Sequence, residues 1–170
     1  MGKEKNVKII YGKELDSFIF SDDSNSSVTG IKLKESPDVI KCDAVALCAG
    51  PFISRIMKKH FGLICPVIPV KGYTFDMKTD TEFHNEHFIF KDKAFVATYL
   101  QSGTWRVAAF GDLSGIDKSS DPRRVAYLKS LVSSMMDKGE VDSICNLSTC
   151  LRPTPPDDIA VIGPLRHTPN

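Results

Sequence analysis

Asp43-Ala44-Val45-Ala46-Leu47-Cys48-Ala49-Gly50-Pro51 is the stretch on which the fold turns. Its core is apolar without alternation, the pattern of a strand covered on both faces, and such strands sit in the middle of α/β sheets. The glycine arrives at the carboxyl end of that expected strand, where α/β sheets bind ligands and where backbone must approach a cofactor closely. Pro51 suits the first turn of a helix. Phe52, Ile53, Ile56, Met57 and Phe61 then fall on one helical face. Lys58, Lys59 and His60 lie in the last turn, where the helix dipole favours cations, and Gly62 can stop the helix.

Upstream, strand-like segments at Leu15 to Phe20 and Val28 to Lys34 flank the turn-forming run Ser21 to Ser27. A second turn at Glu35-Ser36-Pro37-Asp38 leads to Val39 to Cys42, so the pattern predicts an antiparallel meander. Downstream it predicts strands at Val67 to Met77, His87 to Lys91, Phe95 to Leu100 and Trp105 to Phe110, with Gln101-Ser102-Gly103 as a hairpin loop. A helix is expected from Pro122 to Asp137. Val125, Leu128, Leu131 and Val132 form its stripe, with Met135 and Met136 as core filler, Asp121 or Ser120 as cap and Gly139 as stop. The expected class is α+β: a mixed, largely antiparallel sheet with flanking helices, plus part of an α/β domain.

Composition excludes several functions. The 170 residues carry 22 basic against 21 acidic side chains, a net charge of +1, with no lysine or arginine block. That leaves no electrostatic footprint for nucleic acid or an anionic membrane surface. No apolar run approaches the roughly 20 residues of a membrane-spanning helix. Met1-Gly2-Lys3-Glu4-Lys5-Asn6 is neither a secretory nor a myristoylation signal. The expectation is a soluble, cytoplasmic chain, or a mitochondrial one if a targeting segment precedes Met1. The five cysteines, Cys42, Cys48, Cys65, Cys145 and Cys150, form no C-x-x-C pair and are expected to be reduced and structural.

His84-Asn85-Glu86-His87 brings two imidazoles and a carboxylate together, but residues three apart on a strand point to opposite faces, so no metal site is expected. Asp22-Asp23 and Asp157-Asp158 lie in turns, where Asp is favoured for backbone reasons. No P-loop, nucleophile-elbow or zincin pattern occurs, and no catalytic side chain is assigned. Three segments are less ordinary: Ala49-Gly50-Pro51; Val70-Lys71-Gly72-Tyr73, which places a cation, a flexible residue and an aromatic hydroxyl at a bend; and Leu151-Arg152-Pro153-Thr154-Pro155-Pro156-Asp157. An arginine set beside a rigid proline turn can clamp a carboxylate with two parallel hydrogen bonds. From spacing alone, a strand terminus, a strand bend and a surface turn account for the three equally well.

Taken in order, DAVALCAGPFISRI (43–56), GLICPVIPVKGYTFDM (62–77), WRVAAFGDLSGID (105–117) and LRPTPPDDIAVIGP (151–164) resemble the FAD-dependent D-amino acid oxidase and dehydrogenase superfamily. The resemblance runs from about Val39 to the end. It implies a partial FAD-binding domain over 1–50, a substrate-binding domain over 51–150 and a return segment toward the FAD domain over 151–170. It further implies that Ala49, Gly50, Gly72 and Gly163 border FAD. Arg152, Lys71 and Tyr73 would then bind the substrate, an amino or imino acid oxidised by hydride transfer to the flavin.

Departures accompany it. Cys150 stands where the family usually has glycine before Leu-Arg-Pro, Asp158 stands for a glycine, and Phe110-Gly111-Asp112 replaces a pattern ending in Glu. The family's opening G-x-G-x-x-G, which holds the FAD pyrophosphate on backbone amides at a helix N-terminus, does not occur in these residues, nor does its closing glycine-rich segment. The chain by itself is therefore expected to bind FAD loosely and to be inactive. It would be an excised domain of a longer oxidoreductase, or a shortened gene product whose FAD-binding half is supplied by another chain. The alternative is a non-enzymatic module in which strand 44–48, lacking neighbours, pairs with a second copy or another partner.

Overall fold

The structure, a computed structural model, describes residues 7–21, 27–79, 87–100, 103–134, 141–166, 168 and 170. The chain divides into two compact units. One comprises the chain through Ala49, Arg55–Cys65 and the residues from Ala160 on; the other comprises Gly50–Ser54 and Pro66–Ile159. Residues 55–65, grouped by the sequence reading with the middle domain, cluster with the first unit.

The first unit holds the meander: β1 (Leu15–Phe20), β2 (Val28–Leu33) and β3 (Val39–Lys41), antiparallel in that order. Gly30 is required there, because a Cβ would sit 2.9 Å from the Ile40 carbonyl oxygen across the ladder. Helix α1 (Ile53–Phe61) presents the expected face. Phe61 packs tilted at 5.1 Å and His60 edge-on at 5.2 Å against the buried Phe18 ring, and the Lys59 ammonium donates to the Asp16 carbonyl at 3.1 Å. Gly62 follows with φ +66°, the left-handed stop its lack of Cβ permits. Asn170 ties the unit's last residue to β2. Its side chain accepts from Val28 N at 2.9 Å and donates to the Val28 and Asp43 carbonyls at 2.8 Å.

The expected central strand is overturned. Residues 44–48 carry no strand, and no described strand pairs with them; Ala44, Ala46 and Cys48 are exposed, Val45 and Leu47 half-buried. A run of apolar residues becomes a buried strand only when neighbours offer hydrogen-bonding ladders on both sides. Among the described residues of this unit no edge lies beside it.

The second unit is an antiparallel sheet ordered β5-β6-β7-β4-β8, formed by β4 (Ile68–Lys78), β5 (His87–Phe90), β6 (Phe95–Leu100), β7 (Thr104–Asp112) and β8 (Cys145–Thr154). Tyr73, Phe75 and Met77 alternate along β4 onto one face. They join Trp105 and Val107 of β7 in a core closed by Leu128 and Val132 of helix α2 (Pro122–Ser133). Asp121 caps that helix by accepting from Arg123 N at 2.9 Å, with Pro122 in its first turn. Met135, Met136, Gly139, the Gln101-Ser102 loop, Asp22-Asp23 and His84 lie outside the described residues. Both sheets are antiparallel and helices are few, so the α+β class holds.

Strand β8 is not among the expected strands: the sequence reading places a turn over its last residues, from Leu151, and no element over Cys145 to Cys150. It is an edge strand, mostly exposed on both faces, so its residues show no apolar alternation. Its proline is tolerated because only one side of the strand is paired: Pro153 stands opposite Pro69 of β4, near the end of the ladder.

Candidate functional site

Strand register decides what each candidate residue can touch. In an antiparallel ladder, directly opposed residues share a face. Lys71 opposes Leu151, and Tyr73 opposes Thr149, so these point toward α2 and the loop before it. Val70 opposes Arg152, and Gly72 opposes Cys150, so these point to the other, open face. The structure therefore joins Lys71 with Tyr73, and Arg152 with Gly72, on opposite sides of one sheet. The proline turn expected beside the arginine comes two residues later, closed by Asp158 N donating to the Pro155 carbonyl at 3.1 Å.

On the covered side, the Lys71 ammonium is buried. It donates to Asp117 Oδ2 at 2.8 Å and to the Ser119 carbonyl at 3.1 Å, and lies 5.9 Å from the Tyr73 ring centroid. Asp117 also accepts from Ser119 N and Oγ, each at 2.8 Å. The lysine first, then the serine amide, hold the Asp117 carboxyl down at a pKa of about 2, and the Asp117 hydrogen bond raises Lys71. The Tyr73 hydroxyl accepts from Asp121 N at 3.3 Å. These contacts clasp loop 113–121 onto the sheet and hold the Lys71 ammonium on the covered side.

On the open side lies a different chemistry. The second unit contains four arginines, and carboxylates hold three: Arg106 on Asp76, Arg123 on Asp121 and Arg124 on Asp112. The Arg152 guanidinium is exposed and has no such partner among the described residues. Two glycines, Gly72 and Gly111, lie near it. A Cβ built on Gly72 would come no closer than 3.8 Å to any neighbour, and one on the exposed Gly111 would meet only Val70 Cγ1 at 3.3 Å. Gly72 is buried, its Cβ position in ordinary contact with the Ala109 and Phe110 carbonyl oxygens and the Cys150 sulfur, so only Gly111 presents exposed backbone beside Val70. Asp112, in the place where a Glu was noted as usual, is committed to Arg124 at 2.7 Å.

Sequence reasoning missed the polar cluster at the far end of the same face. Asp76, 5% exposed, accepts a two-pronged bond from Arg106 (Nε 2.8 Å, Nη2 3.0 Å) and a third from Asn146 Nδ2 at 3.1 Å. The arginine first, and then the asparagine amide, hold its carboxyl below the ordinary range in spite of burial. A lone Asp amid Phe75 and Met77 was the available signal: a charge on a strand flanked by core residues needs a partner.

Of the cofactor-bordering glycines expected from the resemblance, Gly50 has φ +54° and Gly163 has φ +148°, conformations that exclude most side chains, and neither meets an atom within 4 Å of a built Cβ. Ala49 and Gly163 lie in the first unit, Gly50 and Gly72 in the second. Among the described residues no cluster of three metal-ligating side chains occurs; His87 faces Thr98 Oγ1 at 3.3 Å. All five cysteines are free, but Cys48, Cys145 and Cys150 are exposed, not packed as small hydrophobes. Among the described residues no helix is long and apolar enough to cross a membrane.

The family described as FAD dependent oxidoreductase (DAO) matches residues 2–170. A D-amino acid dehydrogenase of Granulibacter bethesdensis is 25% identical over 166 residues, which is 96% of this chain and 38% of that protein. Glycine oxidase from Geobacillus kaustophilus superposes over 92% of this chain and 41% of its own, with TM-score 0.71 and 16% identity. Glycine oxidase from Bacillus cereus gives 0.69 over 91% and 41%, at 13% identity. The chain thus spans well under half the length of these relatives.

Proposed function

Because the chain belongs to the DAO family of FAD dependent oxidoreductases, we propose that it carries the substrate-binding part of a flavoenzyme that oxidises an amino or imino acid. FAD supplies the hydride-accepting chemistry when bound. The residues present offer one feature that suits a flat ring, the exposed backbone at Gly111. The phosphate-gripping G-x-G-x-x-G is not among these 170 residues.

The observation that carries the reading is Arg152, exposed and without a carboxylate partner among the described residues, on the same face as Val70 and beside the exposed Gly111. A guanidinium matches a carboxylate with two parallel bonds, which fixes the acid's orientation as well as its position. Holding the carboxylate there orients the acid, so the chain's contribution is alignment, leaving bond-breaking to the cofactor. Lys71 and Tyr73 serve from behind: their contacts with Asp117, Ser119 and Asp121 fix β4, whose opposite face carries Val70. The test is NMR of the purified chain titrated with D-alanine, and separately with D-alaninamide. D-Alanine should shift the Arg152 Nε–H, Val70 and Cys150 signals, and the amide should not. Equal responses, or a response that survives Arg152→Gln, would refute the assignment.

One observation favours a second reading, an interaction module. The apolar segment 44–48 has no ladder partner among the described residues. A chain that self-associates through that segment, with protection of its amides on dimerisation, would support it; a monomer at high concentration would count against it.

A further inference from the structure

Between the pairs Asp76↔Cys145 and Thr74↔Ser148 the ladder advances two residues on β4 but three on β8. One extra residue is therefore accommodated in β8, a bulge. Asn146 sits in it with φ +51°, the left-handed conformation in which asparagine is tolerated better than most residues. Its side-chain amide donates to Asp76, which is buried and gripped on both oxygens by Arg106. The consequence is geometric. Side chains alternate along a strand, so removing one residue from the register sends every later side chain to the other face. Continuing from Asp76↔Cys145 without the bulge would set Lys71 opposite Cys150 and Pro69 opposite Arg152. The guanidinium would then join the covered side, and Leu151 would face the open one.

We propose that Asp76 and Asn146 are positioning residues: together they hold the bulge that turns Arg152 onto the open face. This rests on the reading of Arg152 as the acid-binding group, and deepens it. Three features converge on it. Asp76 is the only carboxylate in the core-flanked part of β4, its buried charge is satisfied entirely by one residue of β7 and one of the bulge, and the cluster lies on the same face as Arg152. Asp76 thereby links the middle of the sheet to the one point at which the edge strand departs from regular pairing.

The register can be read directly, without cofactor. Gly72 opposes Cys150, with 3.8 Å from its built Cβ to the Cys150 sulfur. In a chain with the other four cysteines changed to serine, Gly72→Cys should form a cross-strand disulfide with Cys150 under mild oxidation. Adding Asn146→Ala should cut its yield at least about fivefold, as should Asp76→Asn, whereas Asp76→Glu should restore part of it. A control pair, Thr74→Cys with Ala108→Cys across β4 and β7, made with Cys150→Ser, should still cross-link in the Asn146→Ala background. Loss of the first disulfide with the control retained supports the proposal, and retention of both overturns it. Neither outcome depends on whether Arg152 binds an acid, so a chain that passes this test yet ignores D-alanine would sink the functional reading alone.

Discussion

Arg152 and Asp158 show how single residues answer to backbone before chemistry. Asp158 has φ +56°, where a side chain crowds the following carbonyl and glycine does not. The sequence already marked it as an aspartate in a glycine's place, and the torsion accounts for that mark. Asp158→Gly should stabilise the turn, since the neighbouring cap, Ile159 N to Asp157 Oδ1 at 3.1 Å, uses the other aspartate. The gain should be about 0.5 kcal/mol after the glycine's greater chain entropy is subtracted, read as a small rise in urea midpoint. Arg152 was legible as an exposed arginine near prolines. Gly72, on the same face, was legible only as a flexible residue at a bend, because which face each side chain takes depends on a bulge that composition does not announce. Lys71 and Tyr73 sit three and one residues from the Thr74–Ser148 hydroxyl pair on the same two strands, yet point the other way. Adjacency in sequence suggested one pocket, and the two-residue period of a strand divides it.

At the scale of elements, periodic segments were legible and edge segments were not. β1, β2 and β6 coincide with the expected strands or differ by a residue, and α2 begins at the expected proline, because each buries one face and so alternates or recurs. β8 is wetted on both sides and carries Asn, Ser, Thr and Pro, the residues of turns. Segment 44–48 erred in the opposite sense, since apolar character cannot create a ladder. Two measurements belong here. Leu128 of α2 is fully buried over the sheet, and Leu128→Ala should destabilise the second unit by about 2–5 kcal/mol in urea unfolding. The clasp on loop 113–121 should depend on pH. Asp117 titrates at about 2, down from 3.8, so its stabilising effect is complete above roughly pH 4 and is lost as pH falls toward 2. Lys71 is raised above 10.5, so its effect is complete below that pH and fades only at higher pH. Amide protection factors in 113–121 should fall between pH 4 and 2, and Lys71→Met should flatten that dependence.

At the scale of the molecule, two compact units share one chain, and the chain covers 38% of a D-amino acid dehydrogenase and 41% of two glycine oxidases. A dinucleotide is held chiefly by its phosphates, on amides at a glycine-rich turn. The 170 residues contain no such turn, so the purified chain mixed with FAD should emerge from desalting without flavin absorbance, and stoichiometric yellow protein would refute this. Family and α+β class were legible from the order of four motifs. The division into units was less so, because α1 follows Pro51 in sequence but packs on the meander.

The facing prolines at Pro69 and Pro153 bear on what happens when many copies meet. Opposed residues that both lack an amide hydrogen must occupy a site where those groups would point away from each other, so the outer rim of β8 has a missing donor immediately beside Arg152. A foreign strand zipping along that rim would stall there. The exposed rim beside Arg152 is thereby guarded against fibril growth by a missing donor and not by added bulk.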